Sequence, residues 1–149
     1  MIAMPNRISV TALANQILVF LASALFFSLG MERALGVYDE GVILAGAMRV
    51  AAGDIPHRDF YANYGPAQFY LLAALFKLFG QYAVIERMLD VLVRASIVTV
   101  CYGLTAAYCR KSIALAASVV CGLWLFSQAF YGYPVFPALL LSYFGQGAL

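Results

Sequence analysis

The distribution of charge constrains this chain more than any other feature. No charged residue occurs from Ile8 to Met31, from Ala95 to Cys109, or from Ser112 to Leu149. A helix needs roughly 20 mostly apolar residues to cross about 30 Å of hydrocarbon. The first and third stretches reach that length. The second reaches it when it starts near Val84 and takes Glu86, Arg87, Asp90 and Arg94 into its mouth. Lipid offers no partner to exposed backbone groups, so crossing segments are helices or closed barrels. The sequence lacks the alternating ten-residue pattern of a barrel. Composition agrees: 64% of residues are hydrophobic and 11% charged, against about 45–50% and 25% in soluble domains. A chain of 149 residues cannot bury that much apolar surface in one aqueous core.

The expected fold is therefore an all-α membrane protein with a single transmembrane domain over 1–149. It has three transmembrane helices, at about 8–29, 84–108 and 112–130, and a partial fourth that Pro134 and Pro137 introduce. The first run is longer than the usual signal-peptide core of about 7–15 residues and no A-x-A cleavage site follows it, so it reads as a retained span. The cysteines, Cys101, Cys109 and Cys121, form no C-x-x-C pair and read as small apolar packing residues.

Between Met31 and Tyr64 the composition changes. Glu32, Asp39, Glu40, Asp54 and Asp59 face only Arg33, Arg49 and Arg58, whereas bases dominate the rest of the chain. Inside this segment, 40–52 reads as a short helix whose Ile43, Ala47 and Val50 share a face. A loop over 54–64 follows. Then Pro66 opens a second short helix, 67–79, closed by Gly80, the usual arrangement of proline at the start and glycine past the end. That helix is only about 21 Å long, which suits a surface helix. Laying it on the surface puts Arg7, Arg110 and Lys111 on one side and the acidic loop 31–83 on the other. Cytoplasmic loops carry the excess of Lys and Arg, so the N-terminus is expected to be cytoplasmic and loop 31–83 extracytoplasmic. The Arg110-Lys111 turn makes the second and third spans an antiparallel hairpin.

The polar residues of the loop carry the candidate chemistry. Asp39 and Glu40 are carboxylates at the membrane surface, suited to general-base work on an acceptor hydroxyl. Asp39 also suits a helix cap, and the two roles are compatible. Arg49, Arg58 and Lys77 either bind a lipid phosphate or pair with Asp54 and Asp59. Tyr61, Tyr64, Phe69 and Tyr70 read as an interfacial aromatic belt. Asp90 and Arg94 form an i, i+4 pair, with Glu86 and Arg87 beside them. His57 has no second His or Cys near it, so no cofactor is expected and a divalent metal lacks support. A net charge of +2 is too small to imply nucleic-acid binding.

The order of these motifs resembles a known family. Tyr38-Asp39-Glu40-Gly41 follows the first span. Ala52-Gly53-Asp54-Ile55-Pro56, Arg58-Asp59-Phe60, Tyr64-Gly65-Pro66 and Leu78-Phe79-Gly80 come next, and Arg87 opens a long span. Over about 8–131 this is similar to the N-terminal part of the GT-C membrane glycosyltransferases, which include the dolichyl-phosphate-mannose protein mannosyltransferases and the lipid A aminoarabinose transferases. The resemblance implies transfer of a sugar from a polyprenyl-phosphate donor to an acceptor hydroxyl on the extracytoplasmic face. Asp39 would be the base, Glu40 would assist it, and Arg58, Tyr64 and Arg87 would contact substrate. The expected partners are the bilayer, a polyprenyl-phosphate-linked sugar, and either the C-terminal part of such a fold or another membrane protein. The alternative is a small non-catalytic helical membrane protein packed on a partner through small residues such as Gly103, Ala106, Ala107, Ala114, Ala117 and Ser118.

Overall fold

The computed structural model describes residues 10–31, 39–128 and 134–146. Among them are six α-helices: α1 (Val10–Leu29), α2 (Asp39–Ala52), α3 (Pro66–Phe79), α4 (Ala83–Tyr108), α5 (Lys111–Ser127) and α6 (Val135–Gln146). No strand occurs among these residues, and the one bridge, Pro56 to Phe60, lies in the loop between α2 and α3. Arg7, Glu32, Arg33, Tyr38 and Phe130, which the sequence reading uses, lie outside the described residues.

α4 is the hub, packing against α1, α3, α5 and α6. Gln16 approaches Gly103, and Phe27 shares a core cluster with Val91. α1 therefore runs antiparallel to α4. α5 is also antiparallel to α4, since Gly122 approaches Val98 and Arg94 reaches Leu125 and Gln128. The turn between them is Cys109-Arg110, one residue earlier than the sequence suggests, because Lys111 already belongs to α5.

α1 and α4 are long and apolar enough to cross a membrane. Only 6% of the most apolar window of α1 and 33% of that of α4 are buried, so neither helix is mostly buried in the way a soluble core helix is. Leu13, Ile17, Leu18, Leu21 and Leu25 of α1 all stand exposed, as do Val119, Val120, Leu123 and Trp124 of α5. Soluble monomers rarely expose contiguous apolar surface on this scale. α5 has 17 residues, about 25 Å of helix, and it ends at Ser127 where the sequence suggests about 130.

What holds α5 to α4 is small size at the contact. Ala114, Ser118 and Gly122 are buried at four-residue steps, and Leu125 completes the stripe. Such small-residue rows let helix backbones approach closely.

α2 and α3 form a separate antiparallel pair beside the start of α4. Ile43 and Ala47 pack on Leu72 and Phe76, and Val50 packs with Phe69 and Ala73. Each fully buried large side chain contributes about 1.5–3 kcal/mol relative to exposure. Gly46 permits the closest approach: a Cβ there would lie 2.5 Å from the Phe69 ring. Phe69 is thus core, not part of an aromatic belt, while Tyr61 and Tyr70 are exposed. Gly53 (φ 113°) and Gly80 (φ 95°) end the two helices in conformations that favour glycine.

Candidate functional site

One buried ion pair joins α2 to α4. Glu40 lies three residues before Ile43 and so shares the buried face of α2. Arg87 lies one turn into α4. Its Nε donates to Glu40 Oε1 at 2.8 Å and its Nη2 to Oε2 at 3.2 Å. Both side chains are buried, at 3% and 7% exposure. Two-point Arg–carboxylate contact fixes geometry as well as charge. This pair moors the α2–α3 unit to the long helix.

Asp39 is one residue away and therefore about 100° around the helix, off the buried face. It is the first residue of α2 rather than a cap outside it. Its Oδ1 accepts a hydrogen bond of 2.7 Å from Tyr64 Oη. Tyr64 sits at the end of the loop, packed against both halves of the α2–α3 core. The ring is thus held by apolar contact while its hydroxyl orients the carboxylate.

Along α4 the charges continue. Arg94 Nε donates to Asp90 Oδ2 at 2.6 Å. Its Nη1 donates to the carbonyls of Leu125 and Gln128, the last turn of α5. Cationic side chains at a helix C-terminus satisfy carbonyls that lack an intrahelical donor. The same guanidinium lies 4.7 Å from the centroid of the Phe136 ring on α6. Arg94 thus joins three helices.

Glu86 differs from its neighbours. It is 1% exposed, and neither carboxylate oxygen has a hydrogen-bond partner among the described residues. It stands in the wall of a cavity of about 420 Å³ between α3, α4 and α6, with Gln68, Leu72, Asp90, Val93 and Ala138. A second cavity, of about 240 Å³ between α1, α4 and α5, is almost wholly apolar.

Arg58 in the loop and Arg49 in the last turn of α2 are occupied by loop carboxylates. Arg58 Nε and Nη2 donate to Asp59 Oδ1 and Oδ2 at 2.9 and 2.8 Å. Arg49 Nε donates to Asp54 at 2.6 Å, its Nη2 donates to the Asp59 carbonyl at 3.0 Å, and it lies 4.7 Å from the Phe60 ring centroid. The Arg58 guanidinium, with the Ile55 N–H, holds the Asp59 carboxyl down at about 2. His57 takes a left-handed backbone (φ 64°) that lets this loop turn back on itself.

The structure thus brings together Asp39 with Tyr64, and Glu40 with Arg87, and engages Arg58 with Asp59. Sequence reasoning did not find the unpartnered Glu86 or the Arg94 clasp on α5. The available signal was the four-residue spacing of Glu86, Asp90 and Arg94, which places all three on one face of α4. No protein-family model, curated protein or solved structure matches this chain.

Proposed function

We propose that this chain is a membrane glycosyltransferase, or the N-terminal portion of one. In this reading a sugar passes from a polyprenyl-phosphate donor to an acceptor hydroxyl. The observation that carries the reading is the carboxylate of Asp39, held by Tyr64 at 2.7 Å at the start of a short helix that the Glu40–Arg87 pair fastens to a long apolar one. Asp39 Oδ2 takes the proton of the acceptor hydroxyl as that oxygen attacks the anomeric carbon. The bond from that carbon to the phosphate oxygen breaks, and the lipid phosphate leaves with the electron pair. Glu40, bound on both oxygens by Arg87, keeps α2 in place for Asp39. Arg58 at the loop rim meets the substrate from outside.

The chain lies across the bilayer as three spans, α1, α4 and α5, with α6 as a partial fourth. The α2–α3 pair is then the extracytoplasmic roof, and Arg7, Arg110 and Lys111 are cytoplasmic. The shared direction of α1 and α5, both antiparallel to α4, supports that arrangement.

Asp39→Asn tests the chemistry. Transfer from a polyprenyl-phosphate-linked sugar by membranes holding the protein should fall by about 10²–10⁴-fold, the usual worth of a positioned base. Retained turnover refutes the assignment. Cysteines placed at Asp59 and at Ser112 test the topology, and should label from opposite sides.

The second reading, a non-catalytic membrane protein packed on a partner, is favoured by the exposed apolar face of α1 and α5. Efficient crosslinking of Leu21 or Val120 to another protein, with no transfer activity in the assembled complex, would select it.

A further inference from the structure

Three carboxylates and two guanidiniums gather along the first half of α4, with Glu40 brought in from α2. Glu40 takes Arg87 and Asp90 takes Arg94. Glu86 is the carboxylate left over, and its charged neighbours are those same four groups. It is buried, it has no hydrogen-bond partner among the described residues, and it lines a mainly apolar cavity. The volume, about 420 Å³, falls within the roughly 300–1,000 Å³ of small-molecule sites. Buried polar groups are almost always satisfied, and an exception calls for a partner.

We propose that the cavity between α3, α4 and α6 binds an amphiphile with an apolar chain and a primary ammonium head, with Glu86 as the counter-ion. The apolar wall from Leu72, Val93 and Ala138 takes the chain. The excess carboxylate selects the sign of the head. A phosphate or sulfate would face both Glu86 and Asp90 with no guanidinium uncommitted to a carboxylate, so this site is distinct from one for a polyprenyl-phosphate donor. The inference does not depend on Asp39 or on the transferase reading.

The test titrates octylammonium, octanol and octyl sulfate into the full chain in a neutral detergent, with binding read by calorimetry. Partition into micelles is the same for wild type and variants, so differences between proteins report the cavity. Octylammonium should bind saturably at one site, at least tenfold tighter than octanol, and octyl sulfate should not bind. Glu86→Gln should weaken octylammonium at least tenfold and leave octanol unchanged. Ala138→Phe, which fills the cavity from the α6 side, should abolish binding of octylammonium and carries the test alone if Glu86→Gln does not fold. A loss of less than tenfold in Glu86→Gln, octanol binding as tightly as octylammonium, binding of octyl sulfate, octylammonium binding retained in Ala138→Phe, or no saturable binding overturns the proposal.

Discussion

The α2–α3 pair with the first turns of α4, and the bundle of α1, the rest of α4 and α5, are built by opposite rules. The first region buries charge. Glu40, Glu86, Arg87, Asp90 and Arg94 are all buried, and large side chains such as Phe69, Ile43 and Leu72 fill its interior. The second region has almost no charge, and its buried cluster of Phe27, Ile97, Val98 and Leu125 leaves most of α1 and α5 exposed. Phe27 is the only buried residue of α1 among those described, and leucines face outward. In the first region most of the buried ions are paired, as burial of charge requires. A bundle with an apolar exterior gains little from burial, so close approach through Ala114, Ser118 and Gly122 does the holding. One chain of 149 residues thus contains two kinds of surface, and the change from one to the other falls within α4.

Removing Arg87 should break that contrast most severely. Arg87→Ala leaves Glu40 buried without its two-point partner, which costs about 3–5 kcal/mol. Hydrogen exchange across α2 and α3 should rise while the bundle amides stay protected. An effect below about 1 kcal/mol, the value of an exposed pair, would mean that the junction is wet. The double variant with Glu40→Ala should cost less than the two single losses added together.

Two glycine substitutions sharpen the comparison. At Gly46 a new Cβ meets the Phe69 ring at 2.5 Å, so Gly46→Ala should destabilise the α2–α3 pair by about 1–3 kcal/mol, the usual cost of overpacking. At Gly122 the nearest atom is Val98 Cγ2 at 3.9 Å. Gly122→Ala should be neutral or stabilising by up to about 1 kcal/mol, from helix propensity. Urea titration in detergent, followed by helicity, measures both. Destabilisation by Gly122→Ala would mean that the bundle is packed as tightly as the roof.

The smallest effect belongs to the loop. The Asp59 carboxyl is lowered from 3.8 to about 2 by Arg58 and by the Ile55 N–H. A group depressed in the folded state adds stability above its ordinary value and loses it as the pH falls through the folded one. The loop contacts should therefore persist above pH 4 and loosen between about 4 and 2, read as faster exchange of the Ile55 amide. Because Asp59 is solvated, the global transition should barely move.

Much of this was legible in the residues. Ile43, Ala47 and Val50 mark the inner face of α2, and Gly53 and Gly80 mark the helix ends. The six-helix order follows from proline, glycine and charge. The local pairs Asp90–Arg94 and Arg58–Asp59 follow from spacing. Phe69 was read as belt because aromatics cluster around it, although its spacing from Leu72 and Phe76 matches a core stripe. The Glu40–Arg87 pair spans 47 positions, and periodicity identifies the face of a helix but not what lies against it. Glu86 escapes the sequence for the same reason: a face of three charges shows which residues turn inward, not which of them lacks a hydrogen-bond partner among the described residues.

The clasp of Arg94 has a consequence for the order of assembly. Its acceptor at Leu125 lies 31 residues further along the chain, so at about 5–20 residues per second the carbonyl is synthesised roughly 2–6 s after the guanidinium. During that interval Asp90, one turn away on the same helix, is the partner already in place. α4 therefore emerges with its own temporary neutraliser, and α5 completes the coordination on arrival. Loss of Asp90 should show first as a defect in biogenesis, in the yield of correctly assembled chains, before it shows in the stability of those that succeed.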